Sequence, residues 1–364
     1  MRVELYRLPV DGPDDVSPLA ELIRSGRVRA DQVSAVIAQN EGDAYARGFT
    51  LHVLGEFLSE ATGRPRDDIQ RRVPLLMIGQ ANIAPLIPHL NVFVTIPDRT
   101  GSAGAKRLVV GTGLTRDLLP EEYGTMAEVH AVAATVRDAM AGAGLTDPAD
   151  VHCVYVKTPE LSPRRIADAQ ARGARLRTND LRAAAGLARG AAGLGVALAL
   201  GEVAEGKLKD DVIGTDWSLC SAVAQCSSGI EQAACSVIVA GNAAGAASDL
   251  VVGHCVMKDV LDLAAFKDGL RSVGLQFACC PDPAPLARVE NLFIGTSADT
   301  LPTIRGRRHT IRTDFLWASA GAQAKAMANA VIAGVMGDPM FLSKSGSEHQ
   351  GPRGSTCVAI FARA

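Results

Sequence analysis

Aromatic residues make up only 4% of the 364-residue chain, as 2 Trp, 4 Tyr and 9 Phe. They are scattered, and no Lys/Arg cluster is interleaved with them. With a formal net charge of −2, the chain lacks the basic, aromatic-studded face that nucleic acid requires, so no nucleic-acid partner is expected. The single basic run, Arg305-Gly306-Arg307-Arg308-His309, reads as a solvated loop. Long hydrophobic runs are missing too. The longest apolar stretch, 183–203, is broken by Arg189 and Glu202 and is rich in glycine, too polar to span a bilayer. Met1-Arg2-Val3-Glu4-Leu5-Tyr6 reads as a strand, because charges interrupt the apolar run that a signal peptide needs. A cytoplasmic protein with no membrane partner is expected. Paired cysteine spacing is absent among the 8 cysteines, and adjacent Cys279-Cys280 cannot easily chelate one ion, so reduced core thiols are predicted. Gly111-Thr112-Gly113-Leu114-Thr115 lacks the third glycine or the lysine of a nucleotide-binding loop.

What the chain does have is Ser227-Ser228-Gly229-Ile230-Glu231, downstream of the strand-like His152-Cys153-Val154-Tyr155-Val156-Lys157-Thr158-Pro159. A serine becomes a nucleophile when a base takes its proton, and a lysine can be that base if burial keeps its amine neutral. Lys157 closes an apolar run and so has a desolvated setting. The surroundings recur in degraded form on either side. The first block runs Val33 to Gln39, Tyr45 to Phe49, Leu75 to Gly79 and Asn91 to Val94; the last runs Val289 to Gly295, Gln323 to Ala326, Phe341 to Gly346 and Cys357 to Ile360. Three blocks in this length predict three small α/β domains, over 1–105, 106–250 and 251–364, each a sheet backed by helices. Glycine- and proline-rich stretches at 97–105 and 241–245 mark linkers. Helices are predicted over 128–140, 163–172 and 181–204, the last so rich in alanine and glycine that another element must approach its backbone closely.

On these blocks the chain resembles the cyanuric acid hydrolase and barbiturase family of ring-opening amidohydrolases. The matching motifs are Val156-Lys157-Thr158-Pro159, Ala188-Arg189-Gly190-Ala191, the run Leu194 to Glu202, Ser227 to Glu231, Arg305 to Thr310, Gly337-Asp338-Pro339-Met340 and Glu348-His349-Gln350-Gly351-Pro352. The resemblance implies three similar α/β domains around a pseudo-threefold axis, each offering a lysine, an arginine and a serine-glycine pair to a flat cyclic imide. It also implies a homo-oligomer, a homotetramer by family resemblance. Carried over, the middle set is whole: Lys157 as base, Ser228 as nucleophile, with Arg189 and Gly229 binding substrate. In the first block the lysine position reads Gln39 and the serine-glycine pair Ile78-Gly79, leaving Arg47. In the third, Gly295 replaces the lysine, Lys325 the arginine and Ser297 a metal-binding glutamate, while Ser345-Gly346 keeps the serine-glycine place only with one residue deleted before Glu348.

The residues themselves supply acyl transfer; the resemblance supplies the ring. No cofactor is required for this chemistry, although the resemblance implies a structural divalent metal near the C-terminal segment. Cys226 is read as inert packing, and His349, framed by no Ser/His/Asp motif, as structural. Two degenerate faces predict a barbiturate-like or otherwise unsymmetrical cyclic amide. Cyanuric acid itself is the alternative substrate, and a non-catalytic binding homologue is the alternative class.

Overall fold

The runs at 33–39, 151–157 and 289–295 carry branched and aromatic residues such as Val36, Ile37, Val154, Tyr155, Phe293 and Ile294 and form strands, because such side chains pack well on a pleated surface. The computed structural model describes residues 1–42, 44–79, 85–98, 104–296, 301, 303–308 and 320–364. Within them one sheet topology occurs three times.

The first sheet comprises β1 (Arg2–Pro9), β2 (Val33–Gln39), β3 (Leu75–Ile78) and β4 (His89–Ile96), in the order β1-β4-β2-β3. The middle sheet, β5 (Arg107–Asp117), β6 (Val151–Pro159), β7 (Ala224–Gly229) and β8 (Ala234–Ala243), is ordered β5-β8-β6-β7. The third, of β9 (Leu250–Met257), β10 (Val289–Thr296), β13 (Leu342–Ser345) and β14 (Thr356–Arg363), is ordered β13-β10-β14-β9, the same pattern read backwards. The short pair β11 (Thr303–Ile304) and β12 (Arg307–Arg308) forms an exposed hairpin containing most of the basic run; Arg305 there pairs with Asp259. In each large sheet the second and third strands run parallel, and every other neighbouring pair is antiparallel.

Helices cover the outer faces. In chain order they are α1 (Ser17–Arg24), α2 (Ala44–Thr62), α3 (Arg66–Arg72), α4 (Met126–Ala143), α5 (Pro163–Ala171), α6 (Leu181–Ala199), α7 (Leu263–Ser272), α8 (Pro283–Leu286) and α9 (Ala320–Met336). Each sheet packs one face on its own helices: Val36, Met77 and Val92 in the first, Val154, Val156 and Cys226 in the middle, Ile294, Val358 and Ile360 in the third. The opposite faces of all three meet in a shared core containing Ile37, Tyr155, Ile238, Phe293 and Phe361. Aromatics that looked scattered in sequence gather here. Phe93 meets Phe293 edge-on with centroids 6.0 Å apart, and Phe293 lies 4.8 Å from Phe361. Burial of such rings is a large apolar contribution, and the tilted geometries suit their quadrupoles.

Two expectations are corrected. Gly241 lies inside β8 rather than in a linker; a Cβ there would fall 2.5 Å from the Asp150 carbonyl, so glycine permits that close approach. The thiols are free but not uniformly core: Cys153, Cys226, Cys235 and Cys357 are buried, whereas Cys279 and Cys280 are exposed. The small residues of α6 serve as expected. A Cβ on Gly195 would meet the Val129 carbonyl at 2.8 Å, and one on Gly193 the Glu348 carbonyl at 3.0 Å. Gly201, left-handed at φ 73°, follows the end of this helix at Ala199. Among the described residues no helix is long and apolar enough to cross a membrane.

Candidate active site

Parallel pairing of the second and third strands brings the lysine and serine positions side by side. In the middle sheet Lys157 is the Cα partner of Ser227, and Thr158 that of Ser228. Directly paired residues share a face of the sheet. Lys157 and Ser227 therefore turn with Tyr155 toward the three-sheet interior, while Thr158 and Ser228 turn toward the helices. The same register pairs Gln39 with Ile78 and Gly295 with Lys344. This corrects the sequence alignment by one place: Ile78 matches Ser227, and Gly79 matches Ser228. Ser345, partner of Thr296, matches Ser228 with no deletion, since Glu348 follows it at the same spacing as Glu231 follows Ser228.

Lys157 is 1% exposed. Its Nζ donates to the carbonyls of Met77 at 2.9 Å and Ser228 at 2.8 Å, and sits 3.2 Å from Glu231 Oε1. Burial pushes its amine below the usual lysine value while the Glu231 charge pulls it back. The Ser227 hydroxyl is buried beside Tyr155. Ser228 Oγ accepts from Arg189 Nη1 at 3.3 Å. Gly229 is glycine for a steric reason, because a Cβ there would lie 2.2 Å from Glu231 Oε1, which folds back over it.

The cations are set by cross-domain pairs. Arg47 on α2 reaches Glu231 at 3.6 Å, and Arg189 on α6 makes a two-pronged pair with Glu348, both contacts 2.8 Å. Burial works against the Arg189–Glu348 charges, yet their pairing outweighs it and holds the guanidinium above and the carboxylate below their ordinary values. Gly346, left-handed at φ 85°, leaves room for this arginine: a Cβ would meet Arg189 Nε at 2.6 Å. Lys325 on α9 is 1% exposed, and burial pushes its amine down to about 7. Arg47 thus reaches Lys157 through Glu231, and Arg189 through Ser228.

Sequence reasoning missed the counter-charges. Glu231 and Glu348 each stand four residues after the serine-register position, Ser227 or Lys344, a spacing that the repeat itself contained. The first-block counterpart Asn82 lies outside the described residues, as do Ser297, His309, Thr310 and the 99–103 part of the first linker. Cys226 faces the helix layer and burial pushes its thiol up to about 12, unsuited to nucleophilic attack. His349, at φ 59°, stacks on Trp217; its Nδ1 donates to the Leu219 carbonyl at 2.6 Å and its Nε2 accepts from Gly214 N at 2.7 Å. Both ring nitrogens are committed to holding this segment.

A divalent metal does not fit the described side chains of that segment. Gln350 Oε1 already accepts from Cys226 N at 2.6 Å and from the Lys344 ammonium, and Glu348 is held by Arg189. Among the described residues no group of three His, Cys, Asp or Glu side chains converges.

The family described as amidohydrolase ring-opening protein matches residues 4–363. The chain belongs to that family. It is 41% identical over 374 residues to a cyanuric acid amidohydrolase of Enterobacter cloacae and 40% identical over 368 residues to a cyclic amide hydrolase of Azorhizobium caulinodans, with 100% of each chain covered. A barbiturase of Nocardioides sp. is 36% identical, with 97% of this chain and 96% of its own covered. Among solved structures, a cyanuric acid hydrolase superposes with TM-score 0.93 at 36% identity, covering 100% of this chain and 99% of its own. This ring-opening amidohydrolase therefore has the three-domain α/β fold that the repeated blocks implied.

One buried acid beside the site carries a prediction of its own. Glu128 on α4 is fully buried, accepts from Gly124 N at 2.7 Å, and lies 2.5 Å from Thr158 Oγ1. Burial pushes its carboxyl up to about 8. The Thr158 hydroxyl also faces the Pro159 carbonyl at 3.1 Å and has one proton, so a protonated Glu128 satisfies both oxygens. A folded pKa of about 8 lies above the ordinary 4.5, so this stability term is intact below the unfolded value and is lost as pH rises through about 8. Glu128→Gln mimics the protonated acid and is expected to match the parent near pH 5 yet be more stable, by on the order of a few kcal/mol, near pH 9. Urea midpoints of both proteins across that range test this; parallel curves would show Glu128 to be ionised when folded.

Proposed function

We propose that this enzyme opens a cyclic amide or imide ring by serine-lysine acyl transfer, with Lys157 as base and Ser227 as nucleophile. The observation that carries the assignment is the strand register, in which the buried Ser227 shares a sheet face with the desolvated Lys157. Neutral Lys157 takes the serine proton, and the alkoxide attacks a ring carbonyl carbon to give a tetrahedral oxyanion. Backbone N–H groups around Gly229 are suited to that charge. The ring C–N bond breaks as Lys157 returns the proton to the leaving nitrogen, and water then releases the acyl group. Ser228 is the second reading, favoured by its contact with Arg189 and by the Lys157 bond to its carbonyl. In the first reading Ser228 instead helps hold Arg189 toward the ring.

The ring is proposed to be unsymmetrical or barbiturate-like. A threefold-symmetric ring gains from three equal polar faces, whereas here the paired positions read Gln39 with Ile78, Lys157 with Ser227, and Gly295 with Lys344. A ring oxygen buried against Ile78 without a partner loses about 1–3 kcal/mol. Purified enzyme assayed with cyanuric acid, barbituric acid, ureides and lactams tests this. Barbituric acid or another unsymmetrical ring is expected to give kcat/KM at least about fivefold above that of cyanuric acid, the lower end of that penalty. Cyanuric acid turned over as well as the best of them would sink the specificity reading, and no turnover of any ring would favour a binding protein.

A further inference from the structure

Gly295 leaves the third sheet without a side chain where the middle sheet has Lys157, and Lys344 on the adjacent strand fills that space. A Cβ on Gly295 would lie 3.1 Å from Lys344 Cε and 3.6 Å from its Nζ. The lysine and the glycine are thus coupled: one crosses over the place that the other leaves open. Lys344 points the same way as Leu342, whose side chain belongs to the shared interior, so its amine faces the region reached by Lys157 and Ser227. It is 2% exposed and donates to the Gly346 carbonyl at 2.5 Å and to Gln350 Oε1. Those bonds use two of the three donors of an ammonium. The amine lost from β10 has in effect been resupplied from β13, in the register where the middle sheet carries a hydroxyl.

We propose that Lys344 is a specificity-determining residue that binds an anionic oxygen on the third edge of the ring, either a carboxylate substituent or the oxygen of a deprotonated imide. The inference rests on the acyl-transfer site at Lys157 and Ser227 and names the substrate chemistry that this site prefers. Burial pushes the Lys344 amine down to about 8. Its charged and titratable neighbours are Glu348, Arg189, Cys226 and Cys357. The contact to the anionic edge is therefore present below that value and weakens as pH rises through it.

Steady-state kinetics of Lys344→Met and of Gly295→Lys/Lys344→Ser, on a neutral cyclic imide and on a ring bearing a carboxylate, test the proposal. Lys344→Met is expected to raise KM for the carboxylate ring at least about tenfold with kcat within about threefold, the pattern of lost uniform binding. It should also abolish the rise of KM with pH above about 8. The double variant returns the amine to β10 and is expected to recover KM to within about threefold of the parent. The imide arm separates the two sources of charge: a KM effect that follows the ring's own deprotonation assigns the imidate, and one confined to the substituted ring assigns the carboxylate. An unchanged KM for both rings in folded Lys344→Met, or an equal fall in kcat on both, would overturn the proposal in favour of a loop clamp. If Lys344→Met does not fold, a folded double variant that fails to recover KM overturns it equally. Undiminished turnover in Ser227→Ala and Ser228→Ala would instead defeat the acyl-transfer reading, leaving the KM result to stand alone.

Discussion

Ser227→Ala is expected to lower kcat at least about a thousandfold, in the range seen when a nucleophile that acts as one unit with its base is removed. Ser228→Ala is expected to cost far less, about tenfold, because it removes one 3.3 Å contact with Arg189 while the paired Glu348 still holds that guanidinium. The contrast follows from pleating. Adjacent residues on β7 project to opposite faces, and only Ser227 shares the face of Lys157. Each change removes a single hydroxyl and leaves the Arg189–Glu348 pair in place, so both variants should fold. The opposite ranking, with Ser228→Ala inactive and Ser227→Ala active, would move the nucleophile one residue along the chain.

Lys157→Met should fall as far as Ser227→Ala, and the double variant should fall no further, since base and nucleophile act together. It carries a second cost. The Glu231 side chain is buried, and without Lys157 its remaining counter-charge among the described residues is Arg47 at 3.6 Å. Where the Lys157 amine is protonated, breaking this buried pair from one side costs about 3–5 kcal/mol, so at pH values below its titration the urea midpoint should drop as well. Glu231→Gln separates the two effects. Removing this carboxylate leaves burial unopposed on Lys157, so the amine loses its proton at lower pH and the acidic limb of the kcat/KM profile is expected to move down. A limb that moves up, or does not move while activity persists, would mean that a group other than Lys157 governs it.

Much of the architecture was legible because each repeat carries the same local code: a branched strand, a small-residue helix and a second strand ending in a polar turn. Lys157 could be picked out because an amine closing an apolar run is costly unless used or paired, and Arg189 because its place in the block order recurs at Arg47 and Lys325. The choice between Ser227 and Ser228 was not legible. It depends on which of two neighbours faces the lysine, and a one-residue slip of strand register exchanges them. Lys344 escaped notice for a related reason, since its relation to Gly295 exists only across two strands some fifty residues apart. Glu231 and Glu348 were visible as letters but not as partners, because each answers an arginine from a different domain. Aromatic clustering was hidden likewise: Phe93, Tyr155, Phe293 and Phe361 come from all three sheets and meet only when those sheets close on one another.

The pairing of Arg47 with Glu231, and of Arg189 with Glu348, has a consequence for how such a protein can change over time. Each seam is made by two different stretches of one polypeptide, so a substitution on one side is inherited once. Three identical separate chains would have to carry Gln39, Lys157 and Gly295 as a single residue type and alter every seam together. Joined end to end, the three copies can differ at each position: here they pair Lys157 with Ser227, Gln39 with Ile78, and Gly295 with Lys344. An asymmetric ligand can be accommodated by such a chain through single-site steps, each confined to one copy.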